Sequence, residues 1–386
     1  MRTFQRLLTA ALFCSLWALA GCAIKRTVGS ATRPAPIAPA PIAPAPITPK
    51  TDPKFVYTGN QGGSLSGFSV KNFSGVLRPL KGFPFSTSAN PTVVAADPKN
   101  RFLFVGDVAF SQLRVFTINS RTGALSEIRT SPYATVNEPV AIAVDPSGSH
   151  LYVASQGSNL VEGFEVDAKG ALKPIAGSPF PTSGTGDYGD DVVINASGTF
   201  VYVQDHANIY TYSISASSGA LTLVQTIAGP GGLGTVALDP RGKFLYAVGS
   251  SNNSILVFSV NAFTGLLTLA ASSPMVEKDG AFTISIAPNG KSAYTIENNN
   301  DLVSYALIKG VFTPIGSVYS RIYGQRIGID PKGKFLYVPQ ACGNCSSQVH
   351  DVVHEFSIGR TGVLKKIAGS PVNAGVTPWG IAFTTR

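Results

Sequence analysis

One unit, written seven times over, constrains this chain more than any other feature. From about Lys54 onward the sequence repeats with a period running from the mid-forties to about fifty residues, which is the range of a propeller blade. Three signatures recur together. The first is an apolar strand, a tight turn and an aromatic-rich strand, as in TVVAADPKNRFLFV from Thr92, AIAVDPSGSHLYV from Ala141 and DVVINASGTFVYV from Asp191; it returns from Thr235, Thr283 and Arg326. Its Asp-Pro-x-Gly centre is a hairpin turn: Pro presets one turn residue, Asp can bond its own backbone and Gly accepts positive φ. The second signature is a strand with a recurrent aromatic at Phe68, Phe116, Phe164, Tyr212, Phe258, Tyr305 and Phe356. The third is a Gly followed two residues later by an apolar residue, at Gly75, Gly123, Gly170, Gly219, Gly265, Gly310 and Gly362.

The first signature lacks a seventh copy, and the chain ends supply it. Trp379 to Phe383 reads as an inner strand and Lys54 to Tyr57 as its neighbour. Pairing them closes a ring and removes the two open sheet edges that an unclosed array would carry. The pattern therefore predicts an all-β fold, a seven-bladed β-propeller of four-stranded antiparallel blades over residues 54–386. The recurrent aromatics are expected in the core between blades, because buried apolar residues far outnumber ligand cages. Composition agrees: charged residues are 13% of the chain and Gly residues number 40, which suits short strands and tight turns better than long amphipathic helices.

Residues 1–21 read as an export signal, with Arg2 and Arg6 ahead of the apolar run Leu7 to Leu19. Leu19-Ala20-Gly21-Cys22 resembles the bacterial lipobox, which implies cleavage before Cys22 and lipidation of its thiol. Among such lipoproteins an Asp after the Cys favours the inner membrane, so Ala23 points to the outer membrane, facing periplasm or cell surface. Residues 22–53 then form a tether. Its Ala-Pro-Ile repeats from Arg33 to Pro49 have few backbone donors and should run as extended polyproline II, at about 3 Å per residue. A Pro-rich docking peptide is the alternative reading.

The formal charge is +9, falling by two to about +7 once Arg2 and Arg6 are removed. Lys and Arg are spread singly through the turns, without the basic stripe of a nucleic-acid module. No nucleic-acid partner is expected, and a mild attraction to anionic surfaces is the most the charge implies.

The repeat signatures resemble those of the seven-bladed lactonase-like propellers, which include bacterial 6-phosphogluconolactonases and muconate-lactonising enzymes, and they overlap with YVTN-repeat propellers. The resemblance covers Lys54 to Arg386. It implies a Pro-Arg-His segment opening an inner strand and an Asn-Glu after a second strand, both facing one pocket. At the position matching the His this chain has Val93, Ala141, Asp191, Thr235, Thr283, Arg326 and Gly380; at the position matching the Glu it has Asn60, Asp107, Ser155, Asp205, Gly249, Glu297 and Gln340. No His remains, and carboxylates survive in three blades.

Lactone hydrolysis needs an activated water or nucleophile and a group to hold the oxyanion. Asp205 or Glu297 as base and Arg326 as its electrostatic partner are the catalytic candidates, with Asp191, His206, Tyr323 and Arg326 as ligand-binding candidates. The competing reading makes Asp107, Asp205 and Glu297 turn residues that cap strand ends. Asp191 and Arg326 stand three blades apart and should face each other across the central opening.

Cys342-Gly343-Asn344-Cys345 lies in a long loop of blade six, with His350 and His354 downstream. The spacing is shorter than that of a zinc finger, and an exported protein meets an oxidising environment, so a Cys342–Cys345 disulfide is expected rather than a metal. Gly229 to Gly234 lacks the Lys-Ser/Thr of a phosphate loop and reads as a connector between blades three and four. No cofactor is implied, and the protein is expected to be monomeric. On these residues a tethered module binding an envelope protein, a glycan or a small lactone ranks first, a sugar lactonase second and an outer-membrane assembly factor third, since fold likeness alone is a weak warrant for activity.

Overall fold

The structure, a computed structural model, describes residues 53–385 apart from 72, 88–89, 183–188, 252, 277–278, 317 and 342–350. Cys22, Cys342, Cys345 and His350, and with them the expected lipidation and disulfide, lie outside the described residues. Every regular element described is a strand, and the strands form seven antiparallel sheets. Blades one to seven open on the inner strands Pro91–Ala96, Pro139–Val144, Gly189–Ile194, Val236–Leu238, Ala281–Ile286, Gly328–Ile329 and Pro378–Thr385. The second strands are, in the same order, Phe102–Asp107, His150–Ser155, Phe200–Asp205, Phe244–Val248, Ser292–Glu297, Phe335–Gln340 and Pro53–Asn60.

In five blades the outer strand is broken, and a two-residue piece such as Phe180–Pro181 pairs separately with the third strand. Each break holds a cis X-Pro bond, four of them Ser-Pro. The Ser hydroxyl there accepts a backbone N–H of the third strand: Val115 to Ser131, Gly163 to Ser178, Val257 to Ser273 and Glu355 to Ser370, at 2.8–3.1 Å. A donor that the broken ladder would orphan is thereby satisfied. Ser-Pro is thus a fourth recurring signature, present in the sequence and easily passed over.

The repeated residues recur because they meet. The Tyr of the second strand donates its hydroxyl to the carbonyl of the signature Gly in the next blade: Tyr57 to Gly123, Tyr152 to Gly219, Tyr202 to Gly265, Tyr294 to Gly362 and Tyr337 to Gly75, at 2.7–3.0 Å. The residue two positions before that Tyr presses against the same Gly. At Gly265, where φ is +72°, a Cβ would sit 2.4 Å from the Phe200 ring; at Gly123, with φ of +74°, it would sit 2.8 Å from the Phe55 ring. Left-handed backbone and close ring approach both demand glycine there.

Seven clusters of buried apolar residues follow, one at each interface between neighbouring blades. All seven recurrent aromatics lie in them, Phe116 between blades seven and one and Tyr212 between blades two and three among others. Each such ring contributes roughly 1.5–3 kcal/mol by burial. The ring closes as the sequence predicts: Val56 pairs with Phe383, Tyr57 with Ala382 and Thr58 with Ile381. All seven clusters fall between Phe55 and Phe383, so residues 53–386 contain their whole core and form a self-contained folding unit.

The antiparallel order gives the ring two faces. Inner strands begin and second strands end at the mouth. The Asp-Pro turns and signature Gly turns lie on the opposite face, where neighbouring turns touch, as when Arg101 Nη2 donates to the Gly148 carbonyl at 3.1 Å. The Asp carboxylates bond their own turns, Asp145 accepting from the N–H of Ser149 and His150. The Lys and Arg residues that look isolated in sequence, Lys99, Lys169, Arg241, Lys309, Arg360 and Lys71 among them, sit in these turns. Folding thus gathers on one face the basic residues that the linear reading took as dispersed.

Candidate functional site

Seven positions are equivalent at the mouth end of the inner strands, one per blade: Val93, Ala141, Asp191, Thr235, Thr283, Arg326 and Gly380, of which Ala141, Thr235, Thr283 and Gly380 are buried. They share a structural cause. In blades one, two, three and five the inner strand carries a register irregularity just before this position, between Pro91 and Val93, Pro139 and Ala141, Gly189 and Asp191, and Ala281 and Thr283. A bulge bends its strand and re-aims the following side chain.

Two of the seven are charged, and they meet. Arg326 Nη1 lies 3.4 Å from Asp191 Oδ2, and Arg326 Nη2 donates to the Val140 carbonyl at 3.4 Å. Blade six is therefore joined to blades two and three across the opening. Asp191 Oδ2 also accepts the Val236 N–H of blade four at 3.1 Å. Thr235 repeats that stitch one blade further on, its hydroxyl accepting the Ile284 N–H at 2.9 Å. The side chains of Arg326 and Asp191 remain 22% and 13% exposed, so the pair borders the mouth rather than the sealed interior. Burial pushes the Asp191 carboxyl above the usual carboxylate range, against the downward pull of Arg326 and of the N–H groups of Val236 and Val192.

The remaining candidates separate. Asp205 is buried, and its carboxylate is taken up locally: Oδ1 accepts from the N–H of Ala207 (2.8 Å) and Asn208 (2.6 Å), and Oδ2 from the Tyr210 hydroxyl (2.6 Å). Burial and the Asp205 charge push Tyr210 up to about 12, which keeps it a donor. Asp107 is likewise engaged by the N–H groups of Asn90 and Ala109 and by Gln112 Nε2. Both fit the strand-end role. Glu297 is buried at the end of its strand and accepts from the Tyr305 hydroxyl at a longer 3.3 Å. His206 follows Asp205 in the same turn and is half-buried.

Blade six holds a network that the sequence did not single out. Gln340, at the position matching the family Glu, accepts at Oε1 from the Tyr323 N–H (3.1 Å) and from His354 Nε2 (2.8 Å). Tyr323 is thus placed by its backbone, with its ring partly exposed at the mouth. His354 lies within the strand Val352–Ile358, as its position after the cysteines suggests, and is buried. Burial, assisted by the Lys366 charge, lowers its pKa to about 4. It is a neutral donor that fixes Gln340. No group of three or more metal-ligating side chains occurs among the described residues.

Gly229 to Gly234 joins the outer strand Leu221–Ala228 to the inner strand Val236–Leu238, confirming the connector. Its Gly234 and the facing Gly249 let two backbones approach: a Cβ on Gly234 would lie 1.9 Å from the Val248 carbonyl oxygen. Among the described residues the mouth carries the carboxylates of Asp107, Asp191, Asp205, Glu297, Asp301 and Asp351 and the cations Arg321 and Arg326.

Known proteins place this architecture. The family model described as "Lactonase, 7-bladed beta-propeller" matches residues 17–144, 110–185 and 142–284. The periplasmic gluconolactonase of Pseudomonas aeruginosa superposes with a TM-score of 0.69 at 18% identity, covering 86% of this chain and 99% of that one. A candidate 6-phosphogluconolactonase from Bacteroides uniformis gives 0.74 at 18% identity, covering 86% and 100%. A protein from Lactobacillus plantarum gives 0.71 at 18% identity, covering 86% and 99%. At such identities the solved structures speak for the fold, and no curated protein matches the sequence. The family model spans well over half of the chain, and the chain belongs to the seven-bladed β-propeller lactonase family.

Proposed function

We propose that this protein hydrolyses a sugar-type lactone at the mouth of the ring, with Asp191 as the base and Arg326 as the cation that meets the oxyanion. The observation that carries the reading is the Asp191–Arg326 pair, 3.4 Å apart, at two of the seven channel-mouth positions of a lactonase-family fold. It weighs toward the hydrolase, which the residues alone ranked behind a binding module.

The chemistry follows from the pair. A carboxylate held above its usual pKa is a better proton acceptor than an ordinary one. Asp191 takes a proton from a water as the oxygen of that water bonds to the lactone carbonyl carbon, and Arg326 balances the negative charge that develops on the carbonyl oxygen. Collapse of this tetrahedral species breaks the ring C–O bond, and the proton returns from Asp191 to the departing ring oxygen, giving a hydroxy acid. Asp205 has no part in this scheme because its oxygens serve the turn. Glu297, Tyr323 and His206 stand at the mouth ends of blades five, six and three and are the candidates to hold the sugar. The Cys22 motif and Pro-rich tether support action outside the cytoplasm on a lipid anchor, as does the periplasmic naming of the Pseudomonas aeruginosa relative.

A binding role is the second reading, favoured by one observation: none of the seven channel-mouth positions carries a His. Assay of residues 53–386 on a panel of sugar lactones separates the two. Asp191→Asn should lower turnover by about 10²–10⁴-fold if it is the base. Unchanged turnover in that variant removes Asp191 from the reaction. No lactone turned over faster than its spontaneous hydrolysis leaves the binding role.

A further inference from the structure

The face opposite the mouth carries its own chemistry over one arc, blades four to seven. Its turns hold Arg241, Lys243, Lys291, Lys309, Arg360 and Lys71, all exposed. The Asp residues of the same turns, Asp239 and Asp330, are buried, and their carboxylates accept the N–H groups of Lys243 and of Lys332, Lys334 and Phe335. Among the described residues these turns contain no exposed carboxylate. Large apolar side chains stand at the tips between the cations: Phe73 is 89% exposed, Phe263 74% and Ile308 70%. Phe73 sits on a residue with φ of +63°, so the ring crowns a tight turn and points away from every core cluster.

Basic residues interleaved with exposed apolar tips match an anionic phospholipid surface, which offers negative headgroups above a hydrocarbon layer. A polyanion such as RNA would use the cations and leave Phe73, Phe263 and Ile308 in water. The direction of the chain adds a second argument. The second strand of blade seven runs from Pro53 to Asn60 toward the mouth, and Lys54 Nζ donates to the Ser120 carbonyl in a turn of the opposite face. Pro53, where that strand starts, thus lies on the basic face, at one end of the arc.

We infer that the turns of blades four to seven dock on an anionic phospholipid membrane and leave the mouth facing away from it. The basic arc and its apolar tips supply this contact within the ring itself, so the inference does not depend on lipidation at Cys22 or on the lactonase reading. A lipid chain and a basic patch together hold a protein far more firmly than either alone.

Residues 53–386, which lack Cys22, test it by flotation with vesicles of phosphatidylcholine alone or mixed with phosphatidylglycerol. Binding is expected on the mixed vesicles only, weakening as salt rises. Lys71→Glu/Lys309→Glu/Arg360→Glu should lower partitioning on the order of a hundredfold, from the contribution of each cation near such a surface. Phe73→Ser/Phe263→Ser should lower it at least about tenfold by removing apolar insertion. All five substitutions are at exposed turn residues, and unchanged thermal unfolding would show that the ring is intact. Equal binding to both vesicle types, absence of binding, or an equal loss from Arg121→Glu/Lys169→Glu in blades one and two would each overturn the inference. Binding to RNA without vesicles would reassign the arc to polyanions.

Discussion

The two ends of the ring obey different rules. On the turn face nearly every blade carries the same parts: an Asp or Asn bonded to its own turn, a Gly under an aromatic ring, a Tyr reaching the next blade. At the mouth the seven equivalent positions hold Val, Ala, Asp, Thr, Thr, Arg and Gly. Repetition marks the end that every blade must build in the same way in order to join its neighbour. Divergence marks the end where only the sum over seven blades matters, and there the Asp191–Arg326 pair joins three blades that no repeat unit would bring together.

The largest test removes the seam common to both ends. Deleting residues 377–386 takes away the inner strand of blade seven and the pairing of Val56, Tyr57 and Thr58. Two apolar interfaces open at once, the clusters on either side of blade seven. Loss of the cooperative thermal transition is expected; a truncated chain that unfolds like the parent would mean that the ring does not need closure.

The next test asks whether the mouth is purely a site. A residue that served only the ligand could be replaced without cost to the ring, but the Arg326 guanidinium balances a largely buried Asp191 and bridges to blade two. Arg326→Ala should cost about 2–3 kcal/mol, below the usual range for a broken buried pair because both side chains keep some exposure. Urea unfolding measures it, and Asp191→Asn/Arg326→Met should recover most of the loss. A cost near zero for the single variant would make the pair functional alone. His354 sharpens the same point through pH. Its folded pKa of about 4 lies below the usual value near 6.5, so its contribution is complete above pH 6.5 and is lost as pH falls toward 4. The span is worth about 3 kcal/mol. His354→Gln should flatten the stability profile between pH 6.5 and 4; a profile that keeps its slope would assign the acid sensitivity elsewhere.

These contrasts explain what could be read from the sequence. Blade number, ring closure and the core role of Phe68, Phe116 and their counterparts were legible because they rest on local turns and on contacts each blade repeats. The partnership of Asp191 and Arg326 was legible as a position, since counting blades puts them across the opening. Its closeness was not, because the bulge that aims Asp191 has no composition of its own, and nothing local to Arg326 records that its guanidinium spans the opening. Asp205 misled for a related reason. A carboxylate at a strand end reads alike whether it faces a ligand or caps a turn, and only the Ala207, Asn208 and Tyr210 contacts decide. The basic arc was hidden because residues scattered along the chain gather only when the turns stack.

The smallest test completes the turn-face rule where the chain breaks it. In blade one the position equivalent to Tyr152 and Tyr202 is Phe104, fully buried against blade two. Phe102, two residues earlier, still presses on Gly170, so the packing half of the contact is kept and only the hydroxyl is missing. If the Tyr-to-Gly bond is a general device, Phe104→Tyr should donate to the Gly170 carbonyl and stabilise the ring by about 1 kcal/mol, the net worth of one such bond. A rise in the thermal midpoint would extend the rule to blade one. A fall would mean that blade one packs too tightly behind Phe104 to admit an oxygen, and that its register against blade two differs from that of the blades carrying Tyr.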